Sequence, residues 1–181
     1  HTAELFSANS GPIATGDIVF EDANPLIFSV GQAEIWTGSA ILPVRNDIGV
    51  LRKLNLETGN SQIISSGHRN PQGLCVQDKL IFESEQGPAG GDELNNIASS
   101  HGNYGWPFFS YGSAYDVKSA NPSFNYENHD GFIEPLFSWI PSIANGDIKC
   151  MKLNKEIAIW MATLRDKALH RVTIKNNRVL I

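Results

Sequence analysis

"DIKCMKLNKEIAIWMATLRDKALHRVTIKNNRVLI", residues 147–181, decides the architecture. Four short runs lie in it: "DIKCMKL" (147–153), "EIAIWMA" (156–162), "ALHRVTI" (168–174) and "RVLI" (178–181), with "RDK" and "KNN" as the later turns. Apolar residues alternate with polar ones, which places one face of a strand inward, and no helical period of 3.6 competes. Short strands joined by polar turns pair antiparallel, so this stretch predicts one four-stranded sheet.

Toward the N-terminus the pattern repeats. "DIVF" (17–20), "LIFSV" (26–30), "GVLRKLNL" (49–56) and "SQIISS" (61–66) read as a second four-stranded antiparallel unit, the last two strands joined by "ETGN". Between the two units, "GLCV" (73–76), a turn at Gln77 and Asp78, and "KLIFES" (79–84) open another sheet whose outer strands are not placed by pattern. Such sheets, recurring every several tens of residues, predict an all-β chain of the β-propeller kind. The expected division is a single partial propeller domain over 1–181, with blades at roughly 13–66, 67–145 and 146–181. A β-sandwich is the competing architecture, but it would pack these strands without the long excursions at 31–48 and 84–145. Loops of that length usually carry function. Three to four blades do not close a ring, so the chain is expected to be about half of a propeller. Its remaining blades would come from further sequence, a partner chain or a homodimer.

Composition narrows the function. The chain has 181 residues, 41% of them hydrophobic, enough for a substantial core. Its formal charge of -5 and its scattered cations argue against nucleic acid as a partner. No apolar run approaches the ~18 residues that suggest a membrane span. The opening "HTAELFSANSGP" has neither the basic start nor the apolar run of a signal peptide, so either an upstream segment has been removed or the chain is an internal fragment. Cys75 and Cys150 each sit in an apolar strand-like run; one disulfide is permitted, but two buried free thiols are expected. The redox compartment stays open.

The chemistry concentrates in "GHRNPQGL" (67–74) and "ESEQGPAGGDELNNIASSHGNYGWPFFSYGSAYD" (83–116). A plain connector has no use for Arg69, Asn70 and Gln72 in one turn, which marks either a polar site or a solvated turn. Gly87, Pro88, Gly90 and Gly91 let the backbone turn tightly and aim carbonyl oxygens at a hard cation, with Asp92 and Glu93 supplying charge. The alternative for Asp92 and Glu93 is a solvated acidic pair on a surface loop. His68 is expected to be a loop residue, His101 and His129 surface residues, and His170 a solvent-facing strand residue. Trp106, Phe108 and Phe109 could stack on a ligand, although packing between sheets is the commoner use of such rings. No zinc-spaced cluster, nucleophile elbow or phosphate loop is present in the sequence.

"GHRNPQGL", "GPAGGDELN" (87–95), "NYGWPFFSYG" (103–112), "EPLFSWIPSIA" (134–144) and "TLRDKALHRV" (163–172) together resemble the soluble pyrroloquinoline quinone (PQQ)-dependent glucose, sorbosone and aldose sugar dehydrogenases, which are six-bladed β-propellers. The resemblance covers most of 49–181. It implies Arg69 and Asn70 at the quinone, with Arg69 polarising or binding the reacting carbonyl region. It implies Gly87 and Pro88 carbonyls on the calcium that sits on PQQ, and Glu93 and Tyr104 on a second, structural calcium. Trp139 corresponds to an aromatic close to the PQQ plane. Arg165 stands where the family has a Lys that pairs with a cofactor carboxylate. The implied reaction oxidises an aldose to a lactone: hydride passes to the quinone, a histidine takes the proton, and an external acceptor removes the electrons.

The N-terminal region departs from that pattern. Aligning "TGDIVF" with the family's strand entry puts Ile13 where the catalytic His should stand and Asp17 where an Arg should stand. Ile13 has no proton-accepting group. Two readings follow: a fragment or impaired member of the sugar dehydrogenases, or a non-catalytic, calcium-stabilised propeller that binds a protein or glycan. A periplasmic or secreted location is implied by the resemblance.

Overall fold

The computed structural model describes residues 16–31, 36–37, 40–41, 48–97, 101–113, 127–175 and 178–180, and every regular element among them is a β-strand. The strands are β1 (Ile18–Phe20), β2 (Leu26–Val30), β3 (Trp36–Thr37), β4 (Ala40–Ile41), β5 (Val50–Leu54), β6 (Ser61–Ser66), β7 (Pro71–Gln77) and β8 (Leu80–Glu85). They continue as β9 (Asp92–Asn96), β10 (Gly102–Asn103), β11 (Phe137–Trp139), β12 (Asn145–Leu153), β13 (Glu156–Thr163), β14 (Leu169–Lys175) and β15 (Arg178–Leu180).

Three sheets carry the architecture. The first runs β1-β2-β5-β6-β10, the second β11-β9-β8-β7 and the third β12-β13-β14-β15, while β3 and β4 form a separate short hairpin. The third sheet is the four-stranded meander expected over 147–181. The first has the four antiparallel strands that the alternation predicts, plus β10 added parallel to β6. The second takes β9 and β11 from the long segment that the pattern left unplaced. Its hairpin turns at Asp78 and Lys79, both at positive φ (52° and 65°), one residue later than the sequence reading had it.

The second sheet is buried on both faces, and the two-residue period decides which side chain meets which neighbour. Leu74 of β7 and Ile81 of β8 pack with Ile27, Leu51 and Ile64 of the first sheet, joined by Tyr104. Their successors, Cys75 and Phe82, face the other way into a core with Ile148, Ile159 and Val172 of the third sheet. The backbones of β7 and β12 come so close that a Cβ at Gly73 would lie 2.5 Å from the Ile148 nitrogen.

The two cysteines correct the free-thiol expectation. They stand on the facing strands β7 and β12 and form a disulfide, Cα atoms 5.8 Å apart. A separation of 75 residues hides such a pairing from any local pattern. Asp17, a misfit at a supposed Arg position, is structural: one carboxylate oxygen accepts from Leu74 N at 2.7 Å, tying the start of the first sheet to β7.

Candidate functional site

Strand β8 starts the site. Ile81, Glu83 and Glu85 share one face by alternation, so two carboxylates follow an apolar residue into the seam with the first sheet; Glu83 and Glu85 are buried. His68, on the turn after β6, meets them there. Its Nδ1 lies 3.2 Å from Glu85 Oε1 and 3.7 Å from Glu83 Oε2, its Nε2 lies 2.8 Å from Ser65 Oγ, and its ring stacks on Tyr104 at 4.8 Å. His68 is therefore a loop residue whose side chain is a fully buried hub.

Glu85 also shapes the "HRN" turn. Its Oε2 accepts from the backbone N–H of Arg69 (2.5 Å) and of Asn70 (3.3 Å). With that backbone pinned, the Arg69 side chain reaches over β8: Nη1 donates to the carbonyls of Gln86 (2.8 Å) and Gly87 (2.9 Å), and the guanidinium lies 5.4 Å from the Trp106 ring centroid. The polar turn is part of a built site and not a solvated connector. Asn70 sits at its rim, accepting from Gln72 Nε2 at 3.0 Å.

The turn after β8 is dense in carbonyl oxygens. A Cβ at Gly87 would meet the Gly91 oxygen at 2.3 Å and the Gly90 oxygen at 2.4 Å, so only glycine fits, and such an oxygen-rich turn suits a hard cation. Pro88 closes its outer side against Gly112, where a Cβ would come within 2.7 Å of the proline ring. Asp92 and Glu93 are buried, which removes the solvated-pair reading. Asp92 Oδ2 accepts from Ser142 Oγ (2.7 Å) and from the N–H groups of Ile143 (3.0 Å) and Ala144 (2.7 Å), while Oδ1 accepts from Gly87 N (3.2 Å). Glu93 Oε1 lies 3.1 Å from His129 Nε2, so His129, expected at the surface, is also buried. Asn145 donates to the carbonyls of Glu85 (3.0 Å) and Glu93 (3.2 Å), holding the two strands in register with β12.

Crowding of buried carboxylates shifts their acidity. Burial pushes Glu93 up to about 7, against the opposing pull of His129. Burial, then the neighbouring Glu85, holds Glu83 well above the usual carboxylate range. Burial works against charge on His129, but the bond to Glu93 together with the charges of Glu93, Glu134 and Glu85 outweighs it and raises its affinity for a proton.

Among the expected site residues, Arg69, Gly87, Glu93 and Tyr104 line one small pocket, together with Trp106 and His129. Trp106 Nε1 and His129 Nδ1 are buried there without a hydrogen-bond partner among the described residues, as polar atoms reserved for a ligand would be. Trp139 and Arg165 line a different, open cleft of about 540 Å³ with Ser142 and Asp166. The two regions join through Trp139, whose carbonyl accepts from Gly91 N at 3.0 Å. Exposed Arg165 donates to Ser142 O at 3.3 Å, and His170, partly solvent-exposed on its strand, lies 2.6 Å from Asp166 at the rim. Ile13 lies outside the described residues. Glu83, Glu85 and Asn145 escaped the sequence reading, and His129 was placed at the surface. The available signal was "E-x-E" closing an apolar strand that has no solvent-facing side.

A family model described as "Glucose / Sorbosone dehydrogenase" matches residues 8–180. The chain belongs to the glucose/sorbosone dehydrogenase family. Within it, the aldose sugar dehydrogenase YliI of Escherichia coli (strain K12) is 30% identical over 125 residues, covering 66% of this chain and 33% of that protein. A crystal structure of glucose dehydrogenase superposes with a TM-score of 0.73 at 28% identity, over 91% of this chain and 52% of that one. The PQQ-bound form of aldose sugar dehydrogenase from Streptomyces coelicolor superposes with a TM-score of 0.61 at 28% identity, over 89% and 45%. The chain thus spans about a third of this curated family member and about half of the solved structures.

Proposed function

We propose that this chain forms the cofactor-cradling part of a quinoprotein sugar dehydrogenase that oxidises an aldose to a lactone with PQQ and calcium, and that its sheets are blades of a six-bladed propeller. The observation that carries this reading is the convergence of Arg69, Gly87, Glu93 and Tyr104 on one pocket with orphaned polar atoms at Trp106 and His129. PQQ with calcium, when bound, supplies a two-electron acceptor polarised by a Lewis acid.

The chain's own residues bind and orient. Arg69, its backbone fixed by Glu85, offers a cation to an anionic or carbonyl oxygen with little further loss of freedom. The carbonyls of Gly87 and Pro88 would hold the catalytic calcium, and Glu93 with Tyr104 the structural one. Trp139 supplies an apolar wall, and Arg165 at the mouth of its cleft suits a carboxylate. Asn70 stays at the rim of the Arg69 turn, toward the ligand. His68 has both ring nitrogens engaged, Nδ1 at Glu85 and Nε2 at Ser65, so it does not replace the base missing at Ile13. The partners in this reading are a sugar, an external electron acceptor, and a second copy or another chain beside the edge strand β1, which leaves Ile18 and Phe20 exposed. A periplasmic or secreted setting is supported by the Cys75–Cys150 disulfide.

The absent base favours the second reading, a non-catalytic, calcium-stabilised propeller that binds a protein or glycan. A PQQ titration in millimolar calcium, followed by dye reduction with a panel of aldoses, separates the two. Turnover supports the enzyme; binding without turnover supports a cradle that lost its base; failure to bind PQQ removes the quinoprotein reading.

A further inference from the structure

Below the Arg69 turn, apart from the oxygen-rich turn at 87–91, His68, Glu83 and Glu85 each place a ligand atom within 4.8 Å of the others. We propose that these three side chains bind a divalent transition metal of the zinc class through His68 Nδ1 and one oxygen from each glutamate, at a site distinct from any calcium position assigned above.

The spacing supports it. Four-coordinate zinc, with bonds of about 2.0–2.2 Å, separates its ligand atoms by roughly 3.3–3.6 Å. His68 Nδ1 stands 3.2 Å from Glu85 Oε1 and 3.7 Å from Glu83 Oε2, both within a few tenths of an ångström of that spacing. Ser65 Oγ, 2.8 Å from His68 Nε2, can accept its proton, which would leave Nδ1 as the ligand, the outer-shell arrangement that orients metal-binding imidazoles. Asn95 Nδ2 bridges Glu83 Oε2 (2.9 Å) and Glu85 Oε1 (3.1 Å) and holds both carboxylates toward the ring.

A second observation points to a ligand independently. Glu83 is 0% exposed, yet its Oε1 has no hydrogen-bond partner among the described residues. A buried carboxylate oxygen without a donor is costly unless a proton or a cation meets it. Arg69 reaches Glu85 through its backbone N–H, while its guanidinium lies at the Gln86 and Gly87 carbonyls. Imidazole beside two carboxylates selects zinc, cobalt, manganese or iron over calcium, whose ligands are oxygens. Because Glu85 also pins Arg69 and Asn70, the metal would stiffen the floor of the pocket.

The test uses the full chain, stripped with chelator and returned to millimolar calcium so that oxygen-only sites are filled, and it needs no PQQ or sugar. Titration with Co²⁺ should give about one equivalent bound, with visible d–d absorption displaced by Zn²⁺. Glu83→Gln and His68→Gln should each weaken binding by about 100-fold or more, whereas His170→Gln, at the exposed imidazole–carboxylate pair with Asp166, should leave it unchanged. The proposal is overturned if wild-type protein takes up no stoichiometric Co²⁺, if calcium displaces it, or if binding survives Glu83→Gln. The wild-type measurements decide even if a variant fails to fold.

Discussion

Asp92 does more for the site than any residue that faces the pocket. One buried carboxylate gathers a hydroxyl and backbone N–H groups from the 142–144 loop on one oxygen and the Gly87 N–H on the other. Hydrogen bonds to a charged acceptor contribute about 1.5–3 kcal/mol each, and their loss strands buried donors. Asp92→Ala is therefore expected to lower unfolding free energy by about 3 kcal/mol or more in urea titration, with Asp92→Asn recovering part of it. Arg69 belongs to a different class: its side chain lies over Trp106 and the 86–87 carbonyls, beside the pocket. On the enzyme reading, Arg69→Ala should abolish sugar-dependent dye reduction, while the calcium-dependent shift in melting temperature persists; equal loss of both would make Arg69 structural. At this scale the sequence identified Arg69, Asn70 and Gly87 through their unusual company in a turn. It misplaced His129 at the surface, because nothing in "ENHDGF" (127–132) signals that Glu93 waits 36 residues away.

Strand β8 explains why the acidic cluster was not visible. In a sheet with one solvated face, Glu83 and Glu85 would point to water; in the second sheet both faces are covered, so alternation sends them into the seam with the first sheet. Close approach on the opposite face makes Gly73 sensitive. Gly73→Ala would drive a Cβ into the Ile148 backbone and should destabilise the chain by about 1–3 kcal/mol through overpacking, read as a lower urea midpoint. The same two strands carry the disulfide. Reduction, or Cys75→Ser with Cys150→Ser, should cost about 2–4 kcal/mol, measured as a drop in melting temperature with reductant.

Among the described residues, the three large sheets are joined by two cores, two polar ties (Asp17 to Leu74 and Asp92 to the 142–144 loop) and the Cys75–Cys150 disulfide. The pocket sits where the first and second sheets meet, so a cation held there stabilises the assembled form alone. Chelation is expected to lower the melting temperature by simple linkage, and restored calcium to raise it in a concentration-dependent way. No shift on chelation would remove calcium from the account.

Most strand positions outside 84–145, the all-β class and the family were legible in the sequence, because two-residue alternation, glycine-rich turns and compact motifs are local properties of the chain. Tertiary structure alone decided the cysteine pairing, the burial of His68, His129, Glu83 and Asp92, and the separation of Trp139 and Arg165 from the Arg69 pocket. Each of those depends on which face of one sheet meets which face of the next. A strand's own residues encode that two faces exist, and only packing assigns what each face touches.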